Sequence, residues 1–198
     1  MATDPTSSAT QPADVASIGA ANDSVFQFQP KPVRVLFLNE GAEQVFRQNQ
    51  QLKNDELWIG TAYDPHDPNA DDISVYIRIA DPMPVVAELL CSVIGRALGL
   101  PVPEPFMVSI HPGCLPGSKL LPSTTTSMAF ASLNVGGTSF SQLLRSGESS
   151  KAMLRAWEHL IPVATFDEWM ANSDRNLSNI LFVSNALWII DHAEAFHG

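Results

Sequence analysis

The spacing of hydrophobic and polar positions changes several times along the chain. Residues 33–40, VRVLFLNE, alternate and carry β-branched side chains, which predicts a strand. ELWIGTAY (56–63) and ISVYIRIA (73–80) repeat that rhythm on either side of DPHDPNADD (64–72), whose Asp, Asn and Pro content predicts a turn. Together the three strands form a small antiparallel sheet. GAEQVFRQNQQLKN, from Gly41 to Asn54, keeps no firm period and reads as a weak helix or a loop.

Asp81-Pro82 ends the third strand. In residues 83–100, Val86, Leu89, Leu90, Val93, Ile94, Ala97 and Leu98 recur at helical spacing, and Gly99 closes the helix. PVPEPFMVSI (101–110) is an extended crossover, because its prolines exclude helix. HPGCLPGSKLLPS is loop, and SMAFASLNV (127–135) is another apolar strand. Residues 149–171 are helical, with Pro162 in the first turn of a second helix. ILFV (180–183) and ALWII (186–190) flank Ser184-Asn185, a two-residue hairpin turn. Residues 1–25, rich in Ala, Ser, Thr and Asp, read as a disordered tail. The pattern predicts an α+β chain of two lobes with a cleft between them. Residues 26–135 form the N-terminal lobe and residues 136–198 the C-terminal lobe.

Composition narrows the function. Of 198 residues 45% are apolar and 16% charged, as in a globular chain, and the net charge is −10. Four lysines and seven arginines, nowhere clustered, argue against binding nucleic acid through phosphates and against docking on an anionic membrane. A phosphate handled by so acidic a protein is expected to arrive with a metal cation. Cys91 and Cys114 predict neither a disulfide framework nor a zinc site. With no long apolar run and no signal peptide, a cytoplasmic location is expected.

The chemistry gathers at the C-terminus. In SDRNLSNILFVSNALWIIDHAEAF (173–196), Asn179 precedes the first hairpin strand and Asp191 follows the second. Such positions are neighbours across the open end of a hairpin, roughly 5 Å apart at the backbone. Two oxygen ligands there suit Mg2+. Asp174 lies five residues before Asn179, on the loop entering the hairpin. Phosphoryl transfer uses these parts: an Asp for the attacking hydroxyl, and an Asn and a second Asp for the metal on the nucleotide. Singly each is an ordinary turn residue; together they have the D-x-x-x-x-N spacing of a kinase catalytic loop. GCLPGSKL lacks the spacing of a phosphate-binding loop. Trp58, Trp157, Trp169 and Trp188 read as core aromatics. His192 reads as a packing residue or a nucleotide contact.

FDEWMANSDRNLSNILF (166–182) and LWIIDHAEAF (187–196) resemble the catalytic segment of HipA-like kinases. VVAELLCSVIGRALGLPVPEPFMVSI (85–110) is similar to that family's Glu-bearing helix and crossover, and AFASLNVGG (129–137) to its hinge strand. The resemblance spans about residues 70–196, and the Asp-Arg-Asn run is also similar to type II phosphatidylinositol 4-kinases. It implies a two-lobed protein-kinase-like fold binding ATP and Mg2+. Asp174 is then the catalytic base, and Asn179 and Asp191 are the metal ligands. Glu88 steadies Arg78 at the phosphates, and the backbone of Phe130, Ala131, Ser132 and Leu133 meets the adenine edge. It further implies a protein Ser or Thr acceptor and an antitoxin or other regulatory partner.

The sequence departs from the family in three ways. Arg78 stands where such kinases place a lysine, which leaves a solvated strand residue as its other reading. No Gly-rich loop stands in the N-terminal strands. Only seven residues follow Asp191, so a shortened or degenerate chain is expected. Two further readings therefore stand beside the protein kinase: a non-catalytic nucleotide-sensing or partner-binding pseudokinase, and a lipid or small-molecule kinase.

Overall fold

The structure, a computed structural model, describes residues 29–45, 54–122, 124–145 and 149–196. The tail expected over residues 1–25 lies outside the described residues, as do residues 46–53 of the stretch read as helix or loop. Of the described part of that stretch, Gly41, Ala42 and Asn54 lie outside regular structure, but Glu43–Val45 is a strand, β2. It follows β1 (Arg34–Leu38) and precedes β3 (Asp55–Tyr63) and β4 (Ile73–Ala80).

The fold is α+β, but the sheet is not the small antiparallel one expected. Pro105–Ile110 is a strand, β5, and Ser127–Leu133 is β6. The strand order is β1-β5-β6-β4-β3-β2, and β1 also pairs with β3, so five strands close into a barrel. The β1–β5 pair is parallel, with Arg34 opposite Phe106 and Phe37 opposite Ser109. The prolines that hid β5 stand before it and at its first residue, where a missing N–H costs the ladder little. Along one edge of β3, β2 pairs at Leu57–Ile59 and β1 at Ala62–Tyr63. Leu36, Trp58, Val75, Ile77, Phe106 and Val108 fill the interior, each no more than 2% exposed.

Helix α1 (Pro82–Ala97) starts with Pro82 at its first position and ends in a Schellman motif at Gly99 (φ 78°), where Leu100 N–H reaches Gly95 and Gly99 N–H reaches Arg96. The face it buries differs from the one predicted. Ala87, Glu88, Cys91, Ser92 and Gly95 are buried, while Val86 and Leu90 are each 44% exposed. The apolar stripe lies beside the buried face. Gly95 lets the helix come close: a Cβ there would sit 2.9 Å from Val102 Cγ2.

The remaining elements are β7 (Thr138–Ser139), α2 (Phe140–Leu144), α3 (Ser149–Ala156), α4 (Leu160–Trp169), a 3-10 turn at Leu177–Asn179, β8 (Ile180–Val183) and β9 (Ala186–Ile189). They pack a second core of Phe140, Val163, Phe166, Ile180, Leu187 and Ile189 against the buried face of α1. Pro162 sits in the first turn of α4, as expected. Trp169 does not join a core; it is 67% exposed, on the outer face of α4. Ser184 (φ 46°) and Asn185 (φ 68°) are both left-handed, the type I′ geometry that suits the twist of β8–β9. Among the described residues no helix is long and apolar enough to cross a membrane, and both cysteines are buried and free.

Candidate active site

A cavity of about 470 Å³ lies between the barrel, α1 and the β8–β9 hairpin. Strand alternation builds its wall. Val75, Ile77 and Ile79 point into the barrel, so Tyr76 and Arg78 point out of it. Register then places Leu57 and Phe130 beside Arg78, and Ser132 beside Tyr76. Val45, Leu57, Val102, Leu133, Leu181 and Ile190 supply apolar lining, while Arg78, Glu88, Asp191 and His192 supply polar lining.

Arg78 is no solvated strand residue: it is 8% exposed. Its Nη1 donates to Glu88 Oε1 and Asp191 Oδ1, both at 2.7 Å, and its Nη2 donates to Asp55 Oδ2 at 2.7 Å. Burial works against the charge, but Asp191, Glu88 and Asp55 outweigh it and hold the guanidinium pKa above its ordinary value. The Arg78–Glu88 contact that the resemblance implies is therefore present. Glu88 Oε2 accepts from the His192 backbone N–H at 3.0 Å. The His192 ring is 1% exposed and meets Phe166 edge-on at 6.3 Å. Neither of its nitrogens has a hydrogen-bond partner among the described residues.

Hairpin register shifts one expected relationship. Ile190, not Asp191, stands opposite Asn179, with Ile190 N–H donating to Asn179 O at 3.0 Å. Asp191 follows one residue later in a left-handed conformation (φ 61°) and turns to Arg78. Asn179 is buried, and its Nδ2 donates to the Asp174 carbonyl at 3.1 Å. Asp174 is exposed at the turn and is not on the cavity wall. On β6, Phe130, Ser132 and Leu133 line the cavity, whereas Ala131 faces the barrel interior. Because β6 lies between β5 and β4, Phe130–Ser132 offer the cavity side chains, their backbone being in ladders on both sides.

Three residues of this region escaped the sequence reading. Asp55 was hidden by starting the strand at Glu56, although β-alternation with Leu57 would have aimed it at Arg78. Arg175 lies inside the motif between the Asp and the Asn, and only those two drew notice. Its guanidinium takes both Asp167 oxygens, Nε at 2.9 Å and Nη2 at 3.1 Å. Its Nη1 donates to the carbonyls of Asn179 and Ile190. Asp167, buried on α4, also accepts from Asn172 Nδ2 at 3.0 Å. The Gly-Ser-Lys loop rejected as a phosphate site instead covers the buried Glu56, through Ser118 Oγ and Lys119 N–H at 2.7 Å each.

The cavity thus gathers a strand arginine, a helix glutamate and a hairpin aspartate on one wall. The family model of HipA-like kinases matches residues 70–198. The chain belongs to that family, one of kinase-type phosphotransferases. No curated protein matches it.

Proposed function

We propose that this chain is a two-lobed, ATP- and Mg2+-dependent phosphotransferase that moves the γ-phosphate to a hydroxyl, a Ser or Thr of a protein. The observation that carries the reading is the convergence of Arg78, Glu88 and Asp191 from three separate elements at one cavity, with contacts of 2.7 Å. A volume of about 470 Å³ is within the usual range for small-molecule sites, and its apolar lining suits a flat heterocycle. Arg78 gives a phosphate chain its charge-assisted donors.

Asn179 and Asp191 are the residues that would hold magnesium, although of the two only Asp191 lines the cavity. Asn179 turns its Nδ2 to the Asp174 carbonyl, which leaves its amide oxygen as the other terminus, and Asp191 adds a carboxylate. Among the described residues no three His, Cys, Asp or Glu side chains group to hold a metal. Magnesium typically needs only one or two protein carboxylates, with phosphates and waters completing its shell. When bound it neutralises charge on the phosphates. Asp174, exposed on the loop held by Asn176 and Asn179, is reachable by an incoming hydroxyl and orients it, accepting its proton.

One observation favours a second reading, nucleotide binding without transfer: Asp174 is absent from the cavity wall. A single assay separates the two. With radiolabelled γ-phosphate ATP and magnesium, the wild type is expected to label itself or a lysate protein, and Asp174→Asn to lose that labelling while still binding nucleotide. Labelling by neither protein, with nucleotide bound by both, assigns the chain to the second reading.

A further inference from the structure

Helix α1 carries a second apolar face besides the one it buries. Glu88 and Arg96 are its only charged residues, and Glu88 belongs to the buried face. Away from that face, Met83, Val86, Leu90, Val93 and Ala97 follow one another at steps of three and four residues, which sets them in one row along the helix. Met83 is 58% exposed, and Val86 and Leu90 are 44% exposed each. Val93 and Ala97 are half-buried. A helix that is hydrophobic all round is normally enclosed.

The chain itself leads to this row. Gln29, Pro32 and Val33 line one cleft together with Val93 and Ala97, so the described residues begin beside the C-terminal half of the row. Immediately before Gln29 stands SVFQF (24–28), outside the described residues. It carries no charge, and Phe26 and Phe28 stand two apart in it. The spacings match. Two residues of extended chain advance about 6.6 Å and four residues of helix about 6 Å, so two such phenyl groups can meet Val86 and Leu90 together. From Met83 to Ala97 the row is about 20 Å long, which about six extended residues span.

Size and charge weigh against a separate partner. A row one helix wide and about 20 Å long offers far less than the roughly 800 Å² that each side of a stable complex buries. Two copies of a chain of net charge −10 also repel each other. A segment tethered at Gln29 meets the row at a roughly millimolar local concentration, so a small apolar contact suffices.

We propose that Phe26 and Phe28 dock on the outer row of α1, over Leu90 and Val86, so that the segment before Gln29 straps the helix that carries Glu88. Glu88 reaches Arg78 from that helix, so the strap bears on the element that presents it to the cavity. The inference stands apart from the phosphotransferase reading and needs no ligand.

The test is NMR of the full chain, ¹³C-labelled at the Val and Leu methyls. Wild type is expected to show NOEs from the Phe26 and Phe28 rings to the Val86 and Leu90 methyls. In the double variant Phe26→Ser, Phe28→Ser those methyl resonances should move, while Val75 and Val108, buried inside the barrel, keep theirs. Either change alone should lower the docked population roughly tenfold, read from how far the two resonances travel towards their double-variant positions. Wild-type spectra without these NOEs, or Val86 and Leu90 resonances unmoved in the double variant, overturn the proposal. A sample mixing labelled and unlabelled chains identifies the source: NOEs that arise only between chains, with concentration-dependent sedimentation, assign the row to a second copy and overturn it too. If the double variant fails to fold, the NOEs of the wild type decide.

Discussion

Arg175 and Asp167 form a two-pronged ion pair that ties α4 to the base of the β8–β9 hairpin, since the same guanidinium holds the carbonyls of Asn179 and Ile190. Both side chains are nearly buried, at 12% and 9% exposure. Removing one partner strands the other's charge, which costs about 3–5 kcal/mol. Asp167→Ala and Arg175→Ala should each lower stability by that order in urea unfolding. The double variant should lose much less than the two losses added together. Additive losses would show that the two side chains act independently.

Arg78 is expected to be among the most sensitive positions in the chain. Arg78→Ala removes the guanidinium on which Asp55, Glu88 and Asp191 converge, and should cost about 3–5 kcal/mol. Arg78→Lys keeps the charge, but one ammonium cannot reproduce a planar fork spread over three carboxylates. Its stability should fall between wild type and Arg78→Ala. Thermal unfolding midpoints in that order support the cluster, whereas an Arg78→Ala midpoint equal to wild type contradicts it.

Cys91 should show itself at alkaline pH. Burial, with Glu88 one turn away adding to it, pushes the thiol up to about 12, against about 8.5 in an unfolded chain. The raised value means that the thiol's contribution to stability is complete below the unfolded pKa and disappears as pH rises through the folded one. The stability advantage of wild type over Cys91→Ala should therefore shrink between those two pH values. At neutral pH the folded protein should resist thiol reagents at this position. Rapid labelling of Cys91 without unfolding would count against its burial.

Two adjacent glycines should respond differently. Gly137 (φ 88°) leads into β7, and a Cβ there would collide with the Phe182 carbonyl oxygen and Val183 Cγ2. Gly136 (φ 71°) has nothing within 4 Å of that position. Gly136→Ala should cost about 1–2 kcal/mol, the left-handed penalty alone. Gly137→Ala should cost clearly more and disturb the β7–β8 pairing, which amide exchange at Leu181 and Phe182 can follow. Equal costs would mean that the strand yields without loss.

Local rhythm made β3, β4, β6 and the hairpin readable, since β3 and β4 alternate and β6 and the hairpin strands are short apolar runs bounded by turn residues. The Arg78–Glu88 contact was implied by the family resemblance, and the packing of a strand against the helix that follows it leaves room for it. Barrel closure was not readable, because β1 meets β5 some seventy residues later and no local signal marks that pairing. The face of α1 was misjudged for a different reason. Burying Glu88 is favourable only because Arg78 and the His192 backbone receive it, and those partners lie outside the helix. Asp174 and Asn179 were found by spacing. The clamp that holds them, Arg175 on Asp167, joins two elements and appears only in three dimensions.

The parallel β1–β5 pair also governs the order in which the molecule can assemble. β1 leaves the ribosome first of the five barrel strands, yet its parallel neighbour comes only after β3, β4 and α1 have been made. Until then β1 has only its short pairing at Ala62 and Tyr63, and its other edge is open. A contact so distant in sequence slows folding, because the loop it closes must be ordered first. The nascent chain therefore passes through a stage with an unsealed, strand-edged intermediate. That is the stage at which a chaperone would act on it, or a neighbouring chain could add a strand to it.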